Sequence, residues 1–197
     1  MKRLVLLPTV APMLAVASPA HAGSVTYTAQ TNGTGTLGQT AFNNAQITIT
    51  YTGNTDDINS AGQVFQISKG KATVTVAGIG TATFTDPMAV TDVQFQNQGG
   101  ITDLSNQSDV LNVLNSAFGS YQLNTSIGPI SGTALNESDI SFPTSRGGLL
   151  IGLTGENASF TAAVAAGPIV PEPTTITLFG VAFLGMACRG WQSTRKV

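Results

Sequence analysis

Gln46-Ile47-Thr48-Ile49-Thr50-Tyr51-Thr52 alternates polar and apolar residues without a break. A period of two places every apolar side chain on one face of an extended chain, and β-branched Ile and Thr favour that backbone. The stretch therefore predicts a strand with Ile47, Ile49 and Tyr51 in a core and threonines in water. Lys71-Ala72-Thr73-Val74-Thr75-Val76-Ala77 repeats the pattern, and after Gly78-Ile79-Gly80 it resumes over 81–85. Past Asp86-Pro87 it continues over 89–96, as expected for antiparallel strands joined by short turns.

Further strands are expected at 24–31, 63–68 and 121–124, with a closing hairpin of 148–154 and 158–164 around Gly155-Glu156-Asn157. Phe84, Phe95 and Phe160 fall on alternating positions and are assigned to the core. One segment departs from the period: Ser108-Asp109 precedes Val110, Leu111, Val113, Leu114 and Phe118, which fits an N-cap and apolar positions at helical spacing. The expected body is mainly β, an antiparallel β-sandwich or jelly roll with one short helix and no internal repeat.

Both ends read differently from the body. Lys2 and Arg3 precede an apolar run over 4–17, and Ala20-His21-Ala22 supplies small residues where a signal peptidase requires them. Cleavage between Ala22 and Gly23 is expected. A permanent N-terminal membrane helix fits less well, because Pro8 and Pro12 interrupt a run shorter than the ~20 apolar residues a bilayer needs. At the other end, Val170-Pro171-Glu172-Pro173 leads into an apolar run over 176–188, then Arg189, Trp191, Arg195 and Lys196. Residues 174–191 are near the lower limit for a spanning helix, and a basic tail stays cytoplasmic by the positive-inside rule.

This tail resembles the PEP-CTERM sorting signal, in which a Pro-Glu-Pro motif, a short membrane helix and a basic tail are recognised by exosortase. That enzyme is a cysteine-dependent, transpeptidase-like membrane protein of biofilm-forming Gram-negative bacteria. The resemblance covers the C-terminal segment alone and implies Pro171, Glu172 and Pro173 as the recognition element, with Arg189, Arg195 and Lys196 as the basic tail. The basic cluster is looser than usual, since residues 190–194 separate Arg189 from Arg195. A plain membrane anchor would use the same run without needing Pro-Glu-Pro. The organisation expected is a signal helix at 1–22, a β-rich extracytoplasmic domain at 23–164, a linker at 165–173, and a transmembrane helix with basic tail at 174–197.

Composition narrows what the body does. From residue 23 to 170 it has nine acidic residues against Lys69, Lys71 and Arg146, without the clustered cations that displace counterions from nucleic acid. Its solubility rests on neutral Thr, Ser, Asn, Gln and Gly. The sole histidine, His21, lies in the signal segment and the sole cysteine, Cys188, in the C-terminal apolar run. His-based triads, cysteine nucleophiles and the usual zinc sites thus lack their residues. A carboxylate pair for glycoside hydrolysis has candidates in Asp56, Asp57, Asp103, Asp109, Glu137 and Glu156, but no spacing selects two. Calcium has oxygen donors in Asp103, Asn106 and Asp109, or in Asp56, Asp57 and Asn59; neither set completes a binding loop, and turn and cap chemistry is the simpler reading.

The expectation is a non-enzymatic, cofactor-free exported protein. It would be anchored in the inner membrane until processing, then placed at the cell surface or in an exopolysaccharide matrix in a structural or adhesive role. The alternatives are a polysaccharide-acting hydrolase with a carboxylate pair and a calcium-dependent carbohydrate-binding module. The partners implied are signal peptidase, the exosortase-like enzyme, the inner membrane and exopolysaccharide.

Overall fold

A computed structural model describes residues 23–165. The expected signal helix and C-terminal membrane helix lie outside the described residues, among which no helix is long and apolar enough to cross a membrane.

Alternation produces the strands. They are β1 (Ser24–Leu37), β2 (Thr40–Asn54), β3 (Ile58–Ala61), β4 (Val64–Ile67), β5 (Lys71–Val76), β6 (Gly80–Thr83), β7 (Met88–Val93), β8 (Gln98–Asp103), β9 (Ser108–Leu114), β10 (Ile127–Leu135), β11 (Phe142–Thr144) and β12 (Gly147–Val164). They form one 12-stranded sheet in the order β3-β4-β7-β8-β9-β10-β12-β1-β2-β5-β6, with β11 added beside β12. The named ladders are antiparallel throughout.

The spine of the sheet is β1 between β12 and β2. Tyr27 stands between Ala162 and Tyr51, and Ala29 between Phe160 and Ile49, so the period of two is in phase across three strands. All six of these side chains are buried. The hairpin joining β1 to β2 turns at Gly38, whose φ of 62° suits glycine and whose absent side chain would stand 2.0 Å from the Arg146 carbonyl oxygen.

The mainly antiparallel β body is as expected, but the sandwich is corrected: one continuous sheet curls and covers its own core. A sheet this wide, built on long twisted strands, curls rather than stays open. The Thr83–Thr85 chain meets β11 through Ser145 N–H to the Thr83 carbonyl at 2.8 Å and Thr85 N–H to the Pro143 carbonyl at 3.1 Å. Phe84 bridges to Thr144 there, and β11 in turn pairs with β12. A circuit of strands is thereby joined at one side of the molecule.

The expected short helix is a strand. Val110, Leu111, Asn112 and Val113 are buried in succession, so both faces of β9, which pairs with β8 and β10, are covered. Alternation is then erased, and a short apolar run mimics helical spacing. The helical turn begins later, at Ser116–Ser120, a 3-10 turn capped by Asn115, whose side-chain oxygen accepts from Ala117 N–H at 2.8 Å. The closing hairpin is likewise one strand, β12, in which residues 154–157 bulge opposite Asn32 instead of reversing the chain. Residues 121–124 are irregular, with Leu123 at a positive φ. Phe84 and Phe160 are buried, but Phe95 is 62% exposed, because β7 ends at Val93 and the 3-10 turn Gln94–Gln96 breaks the alternation.

Phe118, at the centre of its 3-10 turn, packs edge-on against Phe160 with ring centroids 5.3 Å apart and lies over Gly99 of β8. A Cβ at Gly99 would sit 2.3 Å from the Phe118 ring. Gly99→Ala therefore lowers unfolding free energy by ~1–3 kcal/mol, the usual cost of overpacking, and Phe118→Ala by ~3–5 kcal/mol. Gly155→Ala, with open space around it, changes stability by less than ~0.5 kcal/mol. Urea titration of the three variants checks the ranking.

Candidate functional site

On the outer face the alternation exposes the polar half of each strand. Gln30 of β1 lies between Thr48 of β2 and Ser159 of β12, and Ser159 faces Ser131 of β10. Just beyond, the register of β1 shifts against β12 between Thr31 and Gly33, and against β2 between Gly33 and Gly35. Such irregularities bend a strand and re-aim its side chains. Gln30, Asn32, Gln46, Ser131, Asn157 and Ser159 rim an open groove of about 480 Å³ at this point. The floor includes Thr31, whose hydroxyl donates to the Asn157 carbonyl at 3.1 Å. Among the described residues no charged side chain lines the groove. Its surface offers amide and hydroxyl donors and acceptors, of which Gln30 Nε2 donates to Thr48 Oγ1 at 3.3 Å.

Among the described residues, the acids of the two candidate calcium sets make separate local contacts. Asp103 is fully buried, and one of its oxygens accepts from Ser105 N–H at 2.8 Å. Asn106 accepts from Ser108 N–H at 3.1 Å. Asp109 pairs with Thr102 on the opposite face from Asp103 and accepts from Thr102 Oγ1 at 3.2 Å and Gln98 Nε2 at 3.1 Å. In the second set, Asn54 rather than an acid caps the turn at Asp56, and Asp57 forms an exposed ion pair with Lys69 at 3.0 Å. Among the described residues no group of three or more His, Cys, Asp or Glu side chains could hold a metal ion.

Of the sequence-assigned processing residues, Pro171, Glu172, Pro173, Arg189, Arg195, Lys196, Ala20 and Ala22 lie outside the described residues. Gly23 is the first described residue; it is buried, and its N–H donates to Thr55 Oγ1 at 3.0 Å. Ala165 N–H donates to the Ser24 carbonyl at 2.8 Å, so the two ends of the body leave it side by side.

One buried acid escaped the sequence reading although its phase marks it. Asp92 shares the inward phase of Met88 and Val90 on β7 and is fully buried, and neither carboxylate oxygen accepts a hydrogen bond from the protein. Burial pushes its pKa up to about 7. Tyr121 is close enough that burial first and Asp92 second push its phenol above the ordinary range. The Tyr121 hydroxyl donates to the Thr125 carbonyl at 2.8 Å, and that of Tyr27 to the Leu123 carbonyl, so the phenols are satisfied without the acid.

Residues 170–193 match the family model of the PEP-CTERM protein-sorting motif. No curated protein and no solved structure matches the chain.

The raised Asp92 pKa has a definite sign. Between the unfolded value near 3.8 and the folded value of about 7, the native state holds a proton that the unfolded chain has lost. That contribution is fully present below about pH 3.8 and is lost as pH rises to about 7. Asp92→Asn should flatten this part of the pH profile and raise stability at pH 8 by on the order of 2 kcal/mol. Thermal melts of both chains from pH 4 to pH 8 check it; parallel profiles would contradict it. By its tail the chain carries a PEP-CTERM protein-sorting motif over residues 170–193.

Proposed function

We propose that this chain is a non-enzymatic surface protein, exported and sorted by exosortase, whose β domain serves a structural or adhesive role in an extracellular polysaccharide matrix. The observation that carries the reading is the sorting motif at 170–193, which implies exosortase as the processing partner and export as the route.

The arrangement of the body supports the finer part. Asp103 and Asp109 sit on opposite faces of the sheet, Asp92 is buried on β7 out of a substrate's reach, and Asp57 is paired with Lys69, which favours a non-catalytic body over a hydrolase. Asp103 Oδ1 and Asn106 Oδ1 each accept from a backbone N–H two residues on, and Asp109 accepts from Gln98 and Thr102, which favours turn and cross-strand chemistry over a calcium loop. The body's ends lie together, and Gln30 is six residues along β1 from Ser24, so the groove stands ~20 Å from the attachment end. A body attached through Ala165 would hold that face away from the membrane.

The test uses a host with an active exosortase. The wild-type chain should be degraded when intact cells are treated with external protease. The Pro171→Ala/Glu172→Ala/Pro173→Ala chain should lose at least ~10-fold of that surface-accessible pool and accumulate with the inner membrane, since only the wild type offers the recognition element. Equal shaving of both chains would contradict sorting through Pro-Glu-Pro.

A further inference from the structure

The groove on the outer face is not isolated. It ends a row of side chains that runs across six strands: Thr81, Thr75, Thr48, Gln30, Ser159 and Ser131, each the registered partner of the next. Thr75 and Thr81 share a hydrogen bond at 2.8 Å, and Gln30 reaches Thr48 at 3.3 Å, so the row is already connected laterally. Neighbouring strands are ~4.8 Å apart, a step close to the length of one pyranose unit in an extended polysaccharide. A glycan lying across the strands would therefore meet a hydroxyl or amide at each sugar. Among the described residues the row and the groove contain no charged side chain. They suit a ligand that is itself neutral and rich in hydroxyls, and offer an anionic polymer no counter-charge.

We propose that this row and the groove at its β10–β12–β1–β2 end form a binding face for a neutral, extended polysaccharide. The bulge of β12 opposite Asn32 borders the groove, and Gln30, Gln46 and Asn157 bring amides that can both donate and accept. Recognition by neutral hydrogen bonds in open water is weak per contact, so binding depends on the length of chain engaged. The inference rests on the surface role proposed above and names the ligand class for it.

The test is affinity gel electrophoresis of the full chain, solubilised in neutral detergent, through gels containing hydroxyethylcellulose, galactomannan or, as an anionic comparison, alginate. The wild-type chain should be retarded by at least one neutral glycan and not by alginate. Gln30→Ala/Gln46→Ala should bind ~10-fold more weakly, the worth of one or two hydrogen bonds. Asn59→Ala, on the distant strand β3, should bind as the wild type does. Ser131→Glu, at an exposed position, is a second groove variant that should also lose retardation should the double variant melt early. Absence of retardation by both neutral glycans, retardation by alginate alone, or equal retardation of wild-type and groove variants would each overturn the proposal. Because binding is read on purified protein and delivery on intact cells, failure of one is separable from failure of the other.

Discussion

The structure depends on the registered pairing of β1 between β12 and β2. With Tyr27, Tyr51 and Ala162 in one row and Ala29, Ile49 and Phe160 in another, the apolar halves of three long strands coincide on one face. A slip of one residue would turn all of them outward and bury a row of threonines and glutamine. Hydrophobic burial therefore fixes register here without disulfides, for the body has no cysteine. The same register orders the outer face, since the residues between Tyr27, Ala29 and Thr31 are those that fall into rows with Thr48, Thr50, Ser159 and Thr161.

Core and surface are two consequences of a single alternation. The curl of the sheet lets one set of strands cover its own interior, with Phe118 and Phe160 filling the bend and β11 joining β6 to β12. Asp92 is the exception to an otherwise apolar inner face of β7, and it ties the stability of the body to pH. Outside, hydroxyls and amides in place of ions make a surface whose contacts are insensitive to salt.

What the sequence shows and what it hides follow the same physics. Residues 46–52 and 71–77 are legible because each has one wet face and one dry face. The strand β9 is not, since both its faces are covered, and β8 is hidden because Gly99 and Gly100 supply no side chains to count. At 154–157 the Gly-Glu-Asn signal for a turn yields a bulge, because β12 stays paired with β1 on both sides of it. The sorting motif is legible because it is contiguous: Pro-Glu-Pro, apolar run and basic tail follow one another. The groove is not, because Gln30, Gln46, Ser131 and Ser159 become neighbours only through the pairing of four strands.

We propose that the β body is a passenger delivered outside the cell by its two ends. Intact-mass analysis of the protein recovered from the surface or matrix of an exosortase-bearing host tests it most directly. The account predicts a species that begins at Gly23 and ends near Pro171 to Pro173. A surface species that retains Trp191 and the basic tail would contradict it and make the C-terminal segment a permanent anchor.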